Sequence, residues 1–473
     1  MHQRIKRISI ILIGLFLLQI ACQTLTGSRP TSPVASTPLA VPLSTALPAT
    51  SGIPGAKRAD AAGPACFGSF GYGVTCIENN EWVNYSRKNG ALSGDLIKDI
   101  AVCPGGEILV LHALGLNLFN GTIWRRYEQG WGYGSSEAVA CDTHGGFWVA
   151  HYEGVSHFDG LHWQTYTVKE TLSSDPEAYG LVNDVAVAPD GVIWVVTVNS
   201  IAMFANETWT VYEEGAGFDD KYFFENIAFD SQGHPWITAS LGLFTYDGLF
   251  WNFYPSQDIS TPQSIVVDSQ DRVWVGTLSR GLLVYENGSW LTFTPQNSPL
   301  ASYNIIALAV DTAGRIWVGT AWGLHIIAGE KWTSYQMSNS DLVDDNIAVI
   351  AVAGTGPALP SVQEKAPGAI TGRITDADGA PLADATLKVC VETIYSSYRG
   401  ATPCEGHPYT RDAVSDADGV FTIDNLPNGF YNLAIQTGET WMLYTTRSRS
   451  SSERFLVPAG ETINLGEITV GEE

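Results

Sequence analysis

Between residues 64 and 354 short apolar or alternating runs recur with turn residues between them. A Trp followed three places later by an aromatic residue marks one run in each unit, at Trp82/Tyr85, Trp124/Tyr127, Trp163/Tyr166, Trp209/Tyr212, Trp251/Tyr254, Trp290/Phe293 and Trp332/Tyr335. Successive Trp residues stand 39 to 46 positions apart. Inside each unit the other runs keep one order, as in Asn304 to Val310, then Asp311 to Thr320, then Gly323-Leu324. Runs of this length and alternation predict strands. The second strand carries a Trp at Trp148, Trp194, Trp236, Trp274 and Trp317, with Leu109 and Phe67 in the same slot. Third strands are expected to begin at Gly73, Gly115, Gly154, Gly242, Gly281 and Gly323, with Ser200 as the exception. Asn120-Gly121, Asp159-Gly160, Asp247-Gly248 and Asn287-Gly288 predict two-residue hairpins ahead of the Trp strand.

Four short strands repeating with a period near 40 predict the blades of a β-propeller. The first unit starts at its second strand, near Cys66-Phe67, and the last supplies the missing innermost strand, Asn346 to Val352. Six complete blades and one stitched from both ends make seven, and the ring closes without a free sheet edge. The expected fold class is all-β: a seven-bladed β-propeller over residues 64–354 plus a small β-sandwich over residues 368–473, joined by a linker at 355–367. The Trp side chains, fixed on strands, are read as packing between blades. Asp142, Asp230, Asp268 and Asp311, each ahead of a turn, are read as turn-capping rather than metal-binding.

The motif Asp-x-x-Gly-x-x-Trp-x-Gly-Thr followed by Gly-Leu-x-x-Tyr resembles the two-component-regulator propeller repeat over about residues 62 to 353, which implies a periplasmic sensor region. Such sensors often carry two rings and a membrane helix leading to a kinase. This chain shows one ring and no such helix. The run Ile370-Thr371-Gly372-Arg373-Ile374-Thr375-Asp376-Ala377-Asp378-Gly379, with Asp416-Ala417-Asp418-Gly419 and Leu426-Pro427-Asn428-Gly429-Phe430-Tyr431, resembles the carboxypeptidase regulatory-like domain, a transthyretin-like sandwich without catalytic residues of its own. The two Asp-x-Asp-Gly runs lack the further oxygen ligands and late Glu of a calcium loop and are read as turns.

The ends change where this fold is expected to work. Arg4, Lys6 and Arg7 precede an apolar or small run from Ile8 to Leu18, the order of an export signal and too short to span a bilayer. Leu18-Gln19-Ile20-Ala21-Cys22 resembles a bacterial lipobox, with Gln19 where that family prefers Leu; residues 1–22 are then a lipoprotein signal and Cys22 the lipidated residue. An ordinary secretory signal is the alternative, and either exports the chain. Residues 23–63, rich in Pro, Ser, Thr, Ala and Gly, read as a disordered stalk. Six further cysteines, Cys66, Cys76, Cys103, Cys141, Cys390 and Cys404, stand in an oxidising compartment. Fifteen pairings are open; the short-range choice joins Cys66 to Cys76, Cys103 to Cys141 and Cys390 to Cys404. A net charge of -24 argues against nucleic acid as a partner. No cofactor and no metal are expected.

Alternating strand directions bring the loops between blades and those between second and third strands to one face. There stand Trp131, Tyr133, Asp175, Glu177, Tyr179, Asp219, Asp220, Tyr222, Phe223 and Phe224, with His112, His151, Tyr152, Glu153, Arg280 and Trp322. The ligand-binding candidates are Trp131, Tyr133, His151, Tyr152, Glu153, Arg280 and Trp322, since aromatic platforms with a few polar anchors suit a glycan, a peptide or an envelope protein. The expected function is binding, without catalysis, at the cell surface or in the periplasm. The alternatives are a lyase or hydrolase using His151 and Glu153, as in antibiotic-cleaving propeller lyases, and a passive structural or adhesive protein. His-Glu-x-x-His, Gly-x-Ser-x-Gly and phosphate-loop motifs are not found.

Overall fold

The computed structural model describes residues 62–127, 135–173, 181–213, 215, 218, 222–256, 259, 261–391, 403–404, 409–438, 440–444 and 454–470. The expected lipidation site Cys22 and residues 23–61 of the expected stalk lie outside them, while Ala62 and Gly63 open the strand Ala62–Gly68. Alternating apolar positions become antiparallel strands because one face of each sheet can then be buried against the next sheet. Seven four-stranded sheets follow one another. Blade 2 shows the plan, with Ile97–Val102 innermost, then Ile108–His112, Gly115–Phe119 and Trp124–Tyr127. Blade 7 repeats it with Ile305–Val310, Ile316–Thr320, Gly323–Ala328 and Lys331–Tyr335.

Blade 1 is the stitched one. Its inner strand Val349–Gly354 pairs with Ala62–Gly68, Gly68 opposite Val349 and Ala65 opposite Val352. Val349–Gly354 also packs against Ile97–Val102 and Ile305–Val310, the inner strands on either side, so the ring is closed. The seam takes the register that buries Ala65, Phe67 and Ile350 in one cluster with Trp317 and Tyr335 of blade 7.

The second-strand aromatics fill the spaces between blades. Trp148 of blade 3 packs with Val185 and Ile193 of blade 4, and Trp274 of blade 6 with Leu308 and Ile316 of blade 7. The Asp that precedes each of these strands caps its turn and holds more. Asp311 Oδ1 accepts from the N–H groups of Ala313 and Arg315, while Oδ2 accepts from Arg315 Nε at 2.6 Å and Trp317 Nε1 at 2.9 Å. Asp268 does the same for Arg272 (2.7 Å) and Trp274 (2.8 Å). One carboxylate therefore ties a turn, a cation and the inter-blade Trp together. In blade 3 His157 takes the place of the arginine, its Nε2 2.6 Å from Asp142 Oδ2, and Trp148 Nε1 has no hydrogen-bond partner among the described residues.

The glycine opening the third strand is a matter of close approach. At Gly323 (φ +113°) a Cβ would stand 2.7 Å from Tyr335 O of the fourth strand, and at Gly115 2.8 Å from Tyr127 O. Ser200, the exception, donates its hydroxyl to Leu172 O of the single helical turn Val168–Leu172.

The outer turns differ from expectation. Only Asn287-Gly288 of the four named pairs is a two-residue turn with both residues at positive φ. Asn120, Asp159 and Asp247 instead open four-residue loops, because each side-chain oxygen accepts from the amides two and three places on and substitutes for the backbone turn. Two-residue turns also form at Asn79-Asn80 and Asn206-Glu207, where no glycine signalled them.

The C-terminal module is a sandwich of two sheets. Val420–Leu426, Gly368–Thr375 and Thr462–Thr469 form one; Thr410–Val414, Thr386–Cys390, Gly429–Thr437 and Thr440–Leu443 form the other, with Phe455–Val457 on its edge. Ile370, Leu387, Phe421, Leu433 and Ile435 fill the space between them. Asp376 and Asp416 cap turns, each accepting from the amides two and four places on.

Three disulfides join Cys66 to Cys76, Cys103 to Cys141 and Cys390 to Cys404. The first spans directly paired residues of neighbouring strands, and the second links blade 2 to blade 3. Among the described residues no helix is long and apolar enough to cross a membrane.

Candidate functional site

The face that carries the inter-blade loops and the loops between second and third strands has a repeated polar device. Where the second strand ends, Thr197, Thr277 and Thr320 donate their hydroxyls to the carbonyls of Ser200, Gly281 and Gly323, closing the tight turn. His112 and His151 stand in the same slot of blades 2 and 3. His112 Nδ1 accepts from Leu114 N–H, and Nε2 lies 2.7 Å from Asn117 Oδ1. His151 is 1% exposed; its Nε2 lies 2.9 Å from Ser156 Oγ, which in turn lies 2.7 Å from Thr165 Oγ1. Burial pushes the His151 imidazole down to about 4. A base that weak and that enclosed is poorly matched to proton transfer near neutrality. Glu153 is exposed in the turn beyond, and among the described residues His151 bonds to Ser156 and not to it. His112 thus closes its turn, whereas His151 ties the second strand to the third through Ser156, its Nδ1 has no hydrogen-bond partner among the described residues, and it forms no pair with Glu153.

The structure also takes Trp322 out of the open face. It is 8% exposed and belongs to the core of the C-terminal sandwich, stacked on Tyr409 at 5.9 Å and edge-on to Tyr431 at 6.4 Å. The sandwich covers blades 7 and 1 at this face. Tyr72 meets Phe430 at 4.4 Å, Asn428 Nδ2 donates to Met337 O, and Arg454 Nη2 pairs with Asp344 Oδ2 at 2.8 Å while its guanidinium lies 4.8 Å from the Phe430 ring. Asp345, beside this pair, is pushed up to about 7 by burial, against the hydrogen bond from Met337 N–H.

Blades 2 to 6 keep that face open. Leu96, Leu114, Tyr152, Phe223, Leu241 and Leu278 are exposed in its loops, and Glu153 and Arg280 stand in the same turns. Tyr222 and Phe224 turn inward and pack against Phe244, unlike Phe223 between them. Trp131, Tyr133, Asp175, Glu177, Tyr179, Asp219 and Asp220 lie outside the described residues.

Polar groups line the inner strands at a bulge that recurs from blade 2 to blade 7. Asp99 Oδ2 accepts from Val139 N–H, Asp184 Oδ2 from Ile227 N–H and Ser264 Oγ from Leu308 N–H, stitching blades 2, 4 and 6 to their neighbours. Lys98 Nζ meets Glu137 Oε2 at 3.2 Å across blades 2 and 3. Burial raises Asp99 to about 7, with the charge of Asp184 adding to it, and Glu225 is raised to about 7 by burial. Sequence reasoning missed these acids, although Asp99 and Asp184 stand at one position of the repeat.

Residues 299–322 match the family profile described as two component regulator propeller. No curated protein matches the chain in sequence. Among solved structures, the extracellular domain of a hybrid two component system from B. thetaiotaomicron aligns at 16% identity and TM-score 0.47, over 56% of this chain and 37% of that one. This chain thus spans little more than a third of that domain's length. Virginiamycin B lyase from Staphylococcus aureus aligns at 14% identity and TM-score 0.43, over 51% of this chain and 84% of the lyase. An ancestral GH74 enzyme aligns at 13% identity and TM-score 0.48, over 82% of this chain and 61% of that enzyme.

Proposed function

We propose that the chain is an exported binding protein, held to a bacterial membrane through lipid on Cys22, raised on the stalk 23–63, and presenting the open sector of its propeller face to a glycan, a peptide or an envelope protein. One observation carries the reading: the exposed apolar side chains Leu96, Leu114, Tyr152, Phe223, Leu241 and Leu278 share one face with the charges of Glu153 and Arg280. Exposed apolar side chains collected in one region, with polar groups among them, mark a place of contact. Tyr152, Glu153 and Arg280 are the proposed contact residues of the described chain. On this reading the C-terminal module is a transthyretin-like sandwich of the carboxypeptidase regulatory-like kind that closes off blades 7 and 1 and leaves a defined sector for the ligand. The burial and low basicity of His151 weigh against the lyase or hydrolase alternative.

A ligand that binds only the folded state raises the melting temperature. Thermal-shift measurements against glycans and peptides are expected to find one class that shifts the wild type and fails to shift Tyr152→Ala or Leu241→Ser, whose side chains are exposed and whose ligand-free melting temperatures are expected to match the wild type. Absence of a shift from every class, or a shift that both variants keep, favours the structural or adhesive alternative.

A further inference from the structure

The face opposite, built from the turns between first and second and between third and fourth strands, carries a groove with its own intramolecular template. Where blade 7 meets blade 1, the segment Thr355-Gly356-Pro357-Ala358-Leu359-Pro360 leaves the inner strand of blade 1 and runs over an Asp–Arg–Trp cluster. Arg315, held by Asp311 and lying 5.2 Å over Trp317, donates from Nη2 to Thr355 O at 2.5 Å and from Nη1 to Pro357 O at 3.1 Å. The Tyr335 hydroxyl donates to Pro360 O at 2.5 Å, and Leu359 packs on the cluster of Ile77, Trp317 and Tyr335 beside Trp82. Gly356, Pro357 and Pro360 are buried there. The groove thus reads the two carbonyls that flank Gly356, which stands at φ +64° in a turn closed onto Ala353 O, and then seats a short stretch with Pro-x-x-Pro spacing.

One blade away the same parts recur without a chain segment in them. Arg272 is held by Asp268 at 2.7 Å and lies 5.2 Å over Trp274, the values that Arg315 shows to within 0.1 Å. Phe293 stands where Tyr335 stands, Ile327 where Ile77 stands and Trp332 where Trp82 stands, by position in the repeat. Between blades 6 and 7 these side chains and Glu330 line a cavity of about 580 Å³, within the size of ligand pockets. Arg272 Nη1 and Nη2 have no hydrogen-bond partner among the described residues, although the guanidinium is in the orientation in which Arg315 bridges two carbonyls. The corresponding groove between blades 3 and 4 has His157 stacked on Trp148 in place of the arginine and lacks the fork of donors.

We propose that the groove between blades 6 and 7 is a binding site for a segment of a partner polypeptide that carries a glycine turn followed by prolines, taken in the way the groove between blades 7 and 1 takes residues 355–360. Three features select this occupant. The guanidinium donors complement a pair of carbonyl oxygens that a glycine turn before proline points to one side, as Gly356 does for Thr355 and Pro357. The apolar floor of Trp274, Phe293 and Trp332 matches proline and leucine rings and branches. Blade 7 borders both grooves, so the open one continues an interface the chain already makes. Phe293 lacks the hydroxyl of Tyr335, so one anchor is missing and the site is weaker than its template. This site stands apart from the opposite face and does not depend on the function proposed for it.

The probe is a fluorescein-labelled peptide with the sequence of residues 354–361, titrated into the detergent-solubilised full chain and followed by anisotropy. Saturable binding is expected, weakened about tenfold or more by Arg272→Met, which removes the charged donors and keeps the packing on Trp274. Phe293→Tyr restores the second anchor and is expected to tighten binding severalfold, a gain that a destabilised protein cannot produce. A version of the peptide with both prolines replaced by alanine is expected to bind more weakly. Failure to saturate at millimolar peptide, or binding that neither Arg272→Met nor Phe293→Tyr changes, overturns the proposal; the latter result means the probe is only exchanging with the chain's own segment on Arg315.

Discussion

Arg454 is the cation on which the docking of the sandwich rests, and its removal has a calculable effect. Its guanidinium pairs with Asp344, whose side chain is 1% exposed, and lies over Phe430 and Tyr72. Truncation to Ala leaves a buried carboxylate without its partner, which costs about 3–5 kcal/mol, and forfeits ring contacts worth about 0.5–2 kcal/mol. The loss falls on one interface. Arg454→Ala is therefore expected to split a concerted urea transition in two, the sandwich separating first, with the earlier midpoint visible in Trp fluorescence because Trp322 is uncovered. The double variant Arg454→Met with Asp344→Asn removes both charges and keeps volume, so it is expected to recover most of the lost stability, a coupling of about 3 kcal/mol in the cycle. A cost below about 1 kcal/mol for the single substitution, or a double variant as unstable as the sum of the singles, would refute the reasoning.

Stability is expected to rise as pH falls from about 7.5 to 5. Asp99, Asp184, Asp345 and Glu225 have folded values raised to about 7, so each binds its proton in the native state before the unfolded chain does and its contribution is lost as pH rises through 7. His151 and His325, lowered to about 4, act oppositely between about 4 and 6.5, but the acids outnumber them; a urea midpoint that falls steadily from pH 7.5 to 5 contradicts this balance. His151→Thr introduces the residue that closes the turn in blades 4, 6 and 7 and is expected to melt above His151→Ala; the reverse order would mean that a threonine cannot close the turn in blade 3. Replacing Cys103 and Cys141 by Ala opens a loop of sequence separation 38 and is expected to cost about 4 kcal/mol, against about 3 for Cys66 and Cys76 at separation 10, provided chain entropy dominates; equal losses would argue for a packing origin. Gly323→Ala, which sets a methyl against Tyr335 O at positive φ, is expected to cost at least about 1–3 kcal/mol by calorimetry, and a neutral result would show that the turn relaxes.

Much of the architecture was legible because a propeller is written as a local period. The Trp-x-x-Tyr spacing and the recurring Asp and Gly positions report contacts within one blade or between neighbours, and the missing inner strand at one end with a spare at the other gives the closure. The site was far less legible. Whether His151 reaches solvent depends on Ser156 and Thr165 of two other strands, and whether Trp322 is free depends on Tyr409 and Tyr431, residues that no period relates to it. The pairing of Arg272 with Asp268 is written in the sequence four residues apart, yet its meaning emerged only beside Arg315, where the occupying segment is seen. The outer turns were misjudged for a local reason, since an Asx side chain can close a loop that its glycine alone suggests is shorter.

The seam between Ala62–Gly68 and Val349–Gly354 has a consequence for biogenesis. The two disulfides of the propeller are local in sequence and neither crosses that seam, so both can form while the toroid is still an open arc. A chain made amino end first must wait for residue 354 before the arc can shut, and the sandwich that seats on blades 7 and 1 arrives later still. Closure is then a hydrogen-bonded, reversible latch that the sandwich covers afterwards, and a chain stalled before that point leaves two unpaired strand edges for chaperones or proteases to find.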